Sequence, residues 1–324
     1  MSHSPELKTE SHLERVLKAG HFVVTAELGP PRSADPEVIR RKAGILRGYV
    51  DAANLTDGQG AVVRMGPLAS SYLTLQCGVE PVMQMGCRDR NRIAQQADVL
   101  GAAALGIRNI LCITGDHPRF GTHPHAKPVF DMDSIHLVRV IRNMRDHGVL
   151  LSGEPLKVPP RVFVGAVENP FAEPFEFRVV RLAKKIQAGA EFIQTQLVFN
   201  VEKFRRWMRL VVDAGLHEKV YILAGVGPIR SLRAAEFMRD HVPGVEVPEE
   251  LVRRMRDAAD QREEGYRIGL EIMQQVREIP GVAGLHIMPM DWEEAVQRYV
   301  TDLGLYPRPS MAEPTGATAS TPSS

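Results

Sequence analysis

Four short stretches place residues able to do acid–base or hydrogen-bond chemistry where the chain must turn. In NILCITGDHP (Asn109–Pro118) an apolar run halts on Thr114, Gly115, Asp116, His117 and Pro118. Gly115 permits a sharp turn or a close approach to a ligand, and Pro118 forbids a continued ladder. An acid and an imidazole are thus delivered together, although Asp116 would serve equally as an Asx-turn or helix-capping residue. In TAELGPPR (Thr25–Arg32), Glu27 sits beside Gly29 and two prolines. A carboxyl at a partly apolar rim gains a raised pKa and can act as a general acid; pairing with Arg32 is the plainer alternative. NLTDGQG puts Thr56 and Asp57 before two glycines, as a ligand loop or a polar turn. FIQTQLVF carries Gln194 and Gln196, which alternation sends to one face, where a buried amide needs a partner.

Weaker signals accompany these. Lys184 and Lys185, near the end of a helical stretch, could hold a phosphate or simply complement the helix dipole. Gly225 and Gly227 in AGVGPIR suit a phosphate cradle or a tight turn. Met83, Met85, Met288 and Met290 read as packing. His117, His123 and His125 with Asp131 and Asp133 match no zinc spacing, so they read as solvated loop residues and no metal is expected.

The elements that must position these residues alternate along the chain. Strands are expected at Phe22–Leu28, Asp51–Thr56, Pro81–Cys87, Asn109–Thr114, Arg161–Val167, Phe192–Phe199, Val220–Val226 and Gly284–Met290. Helical patterns with apolar residues three and four apart fall between them, several ending in Gly (Gly106, Gly148, Gly189, Gly215). Eight such units predict an α/β fold, a (β/α)8 TIM barrel, with the charged helical stretch Pro248–Glu278 inserted between strands seven and eight. An open doubly wound sheet is the alternative, weakened because no GxGxxG follows the first strand. Residues 1–18 read as an N-terminal extension, 19–306 as the barrel, and the Pro/Ser/Thr/Ala-rich 307–324 as a disordered tail. In the barrel reading, Glu27, Thr56, Asp116 and Gln196 all fall at carboxyl ends of strands, the face where such barrels bind ligands.

Composition narrows the class. The 324 residues include 40 basic and 39 acidic side chains, which leaves no basic face for nucleic acid. No apolar run approaches the length of a membrane span. The start, MSHSPELKTESHLERV, lacks a secretory core, and three cysteines suggest a reducing compartment. A cytoplasmic location is expected.

Glu27 in AELGPPR, Thr56 in NLTDG, Asp116 in TGDHP and Gln196 in AEFIQTQLVFNVEKF, in that order, resemble the methylenetetrahydrofolate reductase family over about residues 20–305. The last segment is the strongest single match, to AxxxxTQxxFD. The resemblance implies a flavin-binding (β/α)8 barrel, with FAD or FMN, that interconverts 5,10-methylenetetrahydrofolate and 5-methyltetrahydrofolate. It implies that Glu27 is the acid helping to open the imidazolidine ring to a 5-iminium cation, which takes a hydride from reduced flavin. Asp116 would lie near the flavin and hydrogen-bond the pterin, and Gln196 would contact the folate. Thr56, Thr114 and Gly115 would touch the flavin, with Asn169, Ala172, Lys184 and Lys185 near its ribityl and phosphate parts.

The chain departs from the family where Leu28 and Gly29 replace aromatics, Met83 stands for a third-strand histidine, Thr114 replaces an arginine, and the eighth strand ends in MPMDW. These changes alter the flavin surroundings, so the electron donor is expected to be NAD(P)H or a partner protein. A homo-oligomer or complex subunit is also expected, without S-adenosylmethionine control. Two competing readings are a flavin-free barrel methyltransferase using methyltetrahydrofolate and a folate-binding subunit of a larger complex.

Overall fold

Each apolar run that stops on Gly, Pro or a polar residue forms a strand, and the strands close into one barrel. The protein is seen here as a computed structural model describing residues 7–310. The strands are β1 (Val23–Leu28), β2 (Ala52–Leu55), β3 (Pro81–Gly86), β4 (Asn109–Ile113), β5 (Phe163–Glu168), β6 (Phe192–Leu197), β7 (Tyr221–Val226) and β8 (Val282–Ile287). They pair in parallel in sequence order, and β8 returns to β1 to complete a closed (β/α)8 barrel.

The helices that follow the strands are α2 (Glu37–Leu46), α3 (Pro67–Gln76), α4 (Arg92–Ala104), α5 (Ser134–Asp146), α6 (Phe177–Ala188) and α7 (Val201–Asp213). Three more, α8 (Leu232–His241), α9 (Glu249–Asp257) and α10 (Gln261–Arg277), lie between β7 and β8, and α11 (Glu294–Asp302) follows β8. The expected insertion is therefore present. Their apolar stripes pack on the outward strand residues, as with Trp207 and Phe204 of α7, both fully buried.

Within the expected N-terminal extension, residues 12–18 are helical and packed. They form α1 (His12–Lys18), whose Leu13, Val16 and Leu17 join Val23, Val82, Leu111, Phe163, Phe192 and Leu223 in a separate apolar cluster that fills the barrel floor. The spacing 13, 16, 17 is that of one helical face. Glu80 holds α1 in place by accepting from the His12 and Leu13 backbone N–H groups at 2.6 and 2.9 Å and from Asn109 Nδ2 at 2.8 Å. A carboxylate at a helix N-terminus satisfies its free donors and its dipole.

Arg308, which composition put in the tail, is also folded. Its guanidinium donates to Asp51 Oδ2 at 2.7 Å and to the Phe22 carbonyl at 2.6 Å. The ordered chain thus continues past residue 306, and the rest of the expected tail, 311–324, lies outside the described residues. Among the described residues no helix is long and apolar enough to cross a membrane.

Candidate active site

Inside the barrel the strand register sorts side chains into layers. Glu27 pairs with Asn54, Asn54 with Val82, Leu111 with Gly165 and Gly165 with Phe192, so these residues share the inward face. Above the apolar floor lies a polar layer. Gln194 and Asn54 exchange amide hydrogen bonds of 2.6 and 3.0 Å, Gln194 Nε2 also donates to Thr25 Oγ1 at 3.2 Å, and Thr25 Oγ1 lies 3.0 Å from His286 Nδ1. Burial pushes the His286 imidazole down to about 3, so it stays neutral. This layer is a satisfied support two residues beneath Glu27, Thr56 and Gln196 on their strands. The sequence offered no cue that His286 belonged to it.

The topmost inward residues line a cavity of about 370 Å³ that opens at the carboxyl ends of the strands, a volume suited to a small ligand. Glu27, Thr56, Gln84, Ile113 and Val167 form its inner wall, and Gly115, Asp116 and Asn169 belong to its loops. Desolvation pushes the Glu27 carboxyl up to about 7; Asp291 adds to the rise, while the Gln59 amide, Arg64 and Lys42 oppose it. Glu27 can therefore hold a proton near neutral pH, as a general acid requires. It is not paired with Arg32, which is exposed.

Thr56 is 1% exposed, and its Oγ1 has no hydrogen-bond partner among the described residues. A buried hydroxyl without a partner is costly and points to a ligand. Neighbouring Asp57 is already engaged, accepting from the Gly86 N–H at 2.8 Å and pairing with Arg90 at 2.7 Å.

Arg88, just after β3, ties three loops together. It chelates Asp89 and donates to the carbonyls of Gly58 at 3.1 Å and Asp116 at 3.3 Å. Gly115 has φ +89° and sits where a Cβ would press within 3.3 Å of Arg88 Cβ, so glycine is required by conformation and crowding alike. Asp116, which lines the cavity, accepts from the Gly60 N–H at 2.9 Å through one carboxylate oxygen. Thr114 is exposed at the mouth and donates to Ser134 Oγ at 3.2 Å. Arg88 was missed in the sequence because its partners are about thirty residues away on either side.

At the opposite edge stands a cationic wall. Arg178, Arg181 and Lys185 line the cavity with Asn169; their spacing of three and four puts them on one face of α6. Lys185 is 4% exposed and bound to Glu168 Oε2 at 2.5 Å and the Val167 carbonyl at 2.6 Å. Its charge is matched, whereas Arg181 forms no ion pair among the described residues and supplies unspent positive charge. Lys184 points away, exposed over the Phe177 ring. Ala172 is half-buried in the loop after β5 and is not part of the cavity wall.

Other readings resolve locally. A bulge between Gln194 and Leu197 separates the two glutamines: Gln194 joins the polar layer, while half-buried Gln196 accepts from the Leu197 N–H at 3.0 Å. On β3 the residue facing the cavity is Gln84, whereas Met83 packs into the outer core. Gly225 and Gly227 are packing glycines, since a Cβ would lie 2.2 Å from the Thr195 carbonyl oxygen or 2.4 Å from that of Met288. Of the histidine-rich loop, His117 stacks on Phe130, Asp131 pairs with Arg92 and Asp133 caps α5. Among the described residues no group of three or more His, Cys, Asp or Glu is arranged to hold a metal ion.

A family model described as methylenetetrahydrofolate reductase matches residues 12–304, almost the whole described chain. The chain belongs to this family. A Caenorhabditis elegans relative named probable methylenetetrahydrofolate reductase (NADPH) is 22% identical over 311 residues, covering 91% of this chain and 44% of its own. A Pectobacterium carotovorum relative named 5,10-methylenetetrahydrofolate reductase is 24% identical over 298 residues, covering 89% and 92%. The chain spans about half or less of the length of the eukaryotic relatives it matches. Among solved structures, a Clostridium thermocellum protein described as binding two copies of 5-methyl-5,6,7,8-tetrahydrofolic acid shares the fold with TM-score 0.65 and 15% identity, covering 91% of this chain and 99% of that one.

Proposed function

We propose that this protein reduces 5,10-methylenetetrahydrofolate to 5-methyltetrahydrofolate with a bound flavin, and that Glu27 is the general acid. The observation that carries the reading is Glu27 itself, a carboxyl held protonated to about pH 7 on the wall of a ligand-sized cavity. Opening the imidazolidine ring requires a proton on the departing amine, and an acid tuned near neutrality is suited to donate it. Family membership and the names of the relatives support the substrate class.

The residues present suit a flavin. Unpartnered Thr56 Oγ1 and the Asp116 loop can bond polar ring atoms, and Asn169 with Arg178 and Arg181 can hold a ribityl chain and phosphate. Lys185 serves by balancing Glu168, which would otherwise repel that phosphate. Bound there, a reduced flavin supplies a hydride. Asp116 orients the pterin, while the polar layer beneath keeps Glu27 and its neighbours fixed; Gln196, which lies off the cavity wall with its amide oxygen on the Leu197 N–H, reaches the folate only if that bond is exchanged. The electron donor is NAD(P)H or a partner protein, and the location is cytoplasmic.

Reconstitution with FAD and FMN, followed by visible spectroscopy, tests the reading. Flavin bands that bleach under reductant and recover on adding methylenetetrahydrofolate are expected. A protein that stays colourless contradicts it and favours a methyltransferase or a folate-binding subunit.

A further inference from the structure

The loop between α8 and α9, part of the insertion before β8, reaches back to the cavity wall. Its Val245 and Val247 are buried in the core, which fixes the loop against the barrel. Between them and α8, Gly244 lies in left-handed backbone, φ +78°, directly against the Asn169 amide. A Cβ there would overlap Asn169 Nδ2 and stand 2.7 Å from its Cγ and 3.0 Å from its Oδ1. Asn169 lines the main cavity with Arg178 and Arg181. Its Oδ1 accepts from the Phe171 N–H at 3.0 Å, so the Nδ2 end is the one for which Gly244 makes room.

A second contact joins the same two loops. Glu246, two residues beyond Gly244, accepts from Asn200 Nδ2 at 2.6 Å and from Lys203 Nζ at 2.8 Å. Lys203, on α7, also donates to the Phe171 carbonyl at 3.3 Å and lies 3.6 Å from Glu173. One ammonium thus fastens the insertion loop to the loop after β5, on which Asn169 stands. With Val245 and Val247 anchored, the Asn169 amide is the part that would have to yield to a side chain at 244.

Resting on the flavin reading above, we propose that Gly244 and Lys203 are positioning residues for the cofactor, acting through Asn169. The insertion loop sets the direction of the Asn169 amide, and with it the grip on the polar chain of the flavin beside Arg178 and Arg181. Among the described residues Asn169 Nδ2 donates to no protein group, so its N–H bonds remain for a hydroxyl or phosphate oxygen of a ligand. An amide held in one direction before the ligand arrives loses less freedom on binding it. The insertion between β7 and β8 is therefore part of the binding apparatus, although neither Gly244 nor Lys203 lines the cavity.

Titration of the full chain with FAD and with FMN, followed by flavin fluorescence, separates the outcomes. Gly244→Ala is expected to weaken flavin binding about tenfold. Gly215→Ala is its control: the backbone there is also left-handed, φ +62°, with nothing within 4 Å of the added Cβ. It should lose stability in the same way while flavin affinity holds. In an Asn169→Ala background, Gly244→Ala should cost no further affinity, since the amide it displaces is gone. Should Gly244→Ala not fold, Lys203→Met, which unfastens both loops, must show the same dependence on Asn169. Unchanged affinity in the folded variant, or a loss that simply adds to that of Asn169→Ala, overturns the assignment. If the wild type takes up neither FAD nor FMN, the flavin reading falls and this inference with it.

Discussion

The floor and the mouth of the barrel treat polar groups in opposite ways. At the floor, Glu80 accepts from the α1 backbone, Ser11 and Asn109, and Glu14 takes the Thr9 hydroxyl at 2.7 Å and Lys18 at 2.8 Å. These carboxylates are saturated and lock an apolar plug in place. At the mouth, among the described residues, Thr56 Oγ1 and Arg64 Nε are buried without hydrogen-bond partners and Arg181 lacks a counter-ion, while burial raises Glu27. The floor spends its polar groups on stability; the mouth keeps them for a ligand. Some charges at the mouth are balanced in advance, as in the Lys185–Glu168 and Arg90–Asp57 pairs.

Mutations should separate these two regimes. The largest effect is expected for Glu27→Gln, which keeps size but cannot give up a proton: folate reduction should fall by about 10²–10⁴, with flavin absorbance and thermal midpoint retained. Normal turnover would place the acid elsewhere. At the floor, Leu13→Ala should cost about 2–5 kcal/mol of stability by opening a cavity against Phe163 and Phe192, read by urea unfolding, with the flavin spectrum of the folded fraction unchanged. An effect on folate binding without a loss of stability would erase the contrast between the regions. The smallest effect belongs to Thr56→Val, which removes an unpartnered hydroxyl. Stability should hold or rise slightly, while flavin affinity, measured by titration, drops by about fivefold. A stability loss with unchanged flavin affinity would make Thr56 a packing residue.

Much of this was legible in the chain. Strand ends fell within a few residues of the expected ones, because Gly and Pro halt the apolar runs and the barrel needs eight of them. Glu27 and Asp116 were locatable because strand ends face the mouth. What escaped notice depends on long-range geometry. Arg88 acts across three loops, His286 gains meaning only from Thr25 on the neighbouring strand, and the Gln194–Leu197 bulge broke a simple alternation. Two further features were within reach of periodicity. Residues 178, 181 and 185 fall on one helical face while 184 does not, and 13, 16 and 17 mark the buried side of α1. Gln84 rather than Met83 was hidden because neither residue betrays which face of a wholly buried strand looks inward.

The pH dependence of a single turnover tests the central claim most directly. Flavin-loaded protein would be photoreduced anaerobically and mixed with methylenetetrahydrofolate at a series of pH values, following flavin reoxidation. Glu27 must be protonated to donate, and its carboxyl is pushed up to about 7. The rate should therefore be level below about 7 and fall about tenfold per pH unit above it, with Glu27→Gln slow and flat throughout. A wild-type rate that does not change across that range, or a Glu27→Gln profile matching it, would contradict the account.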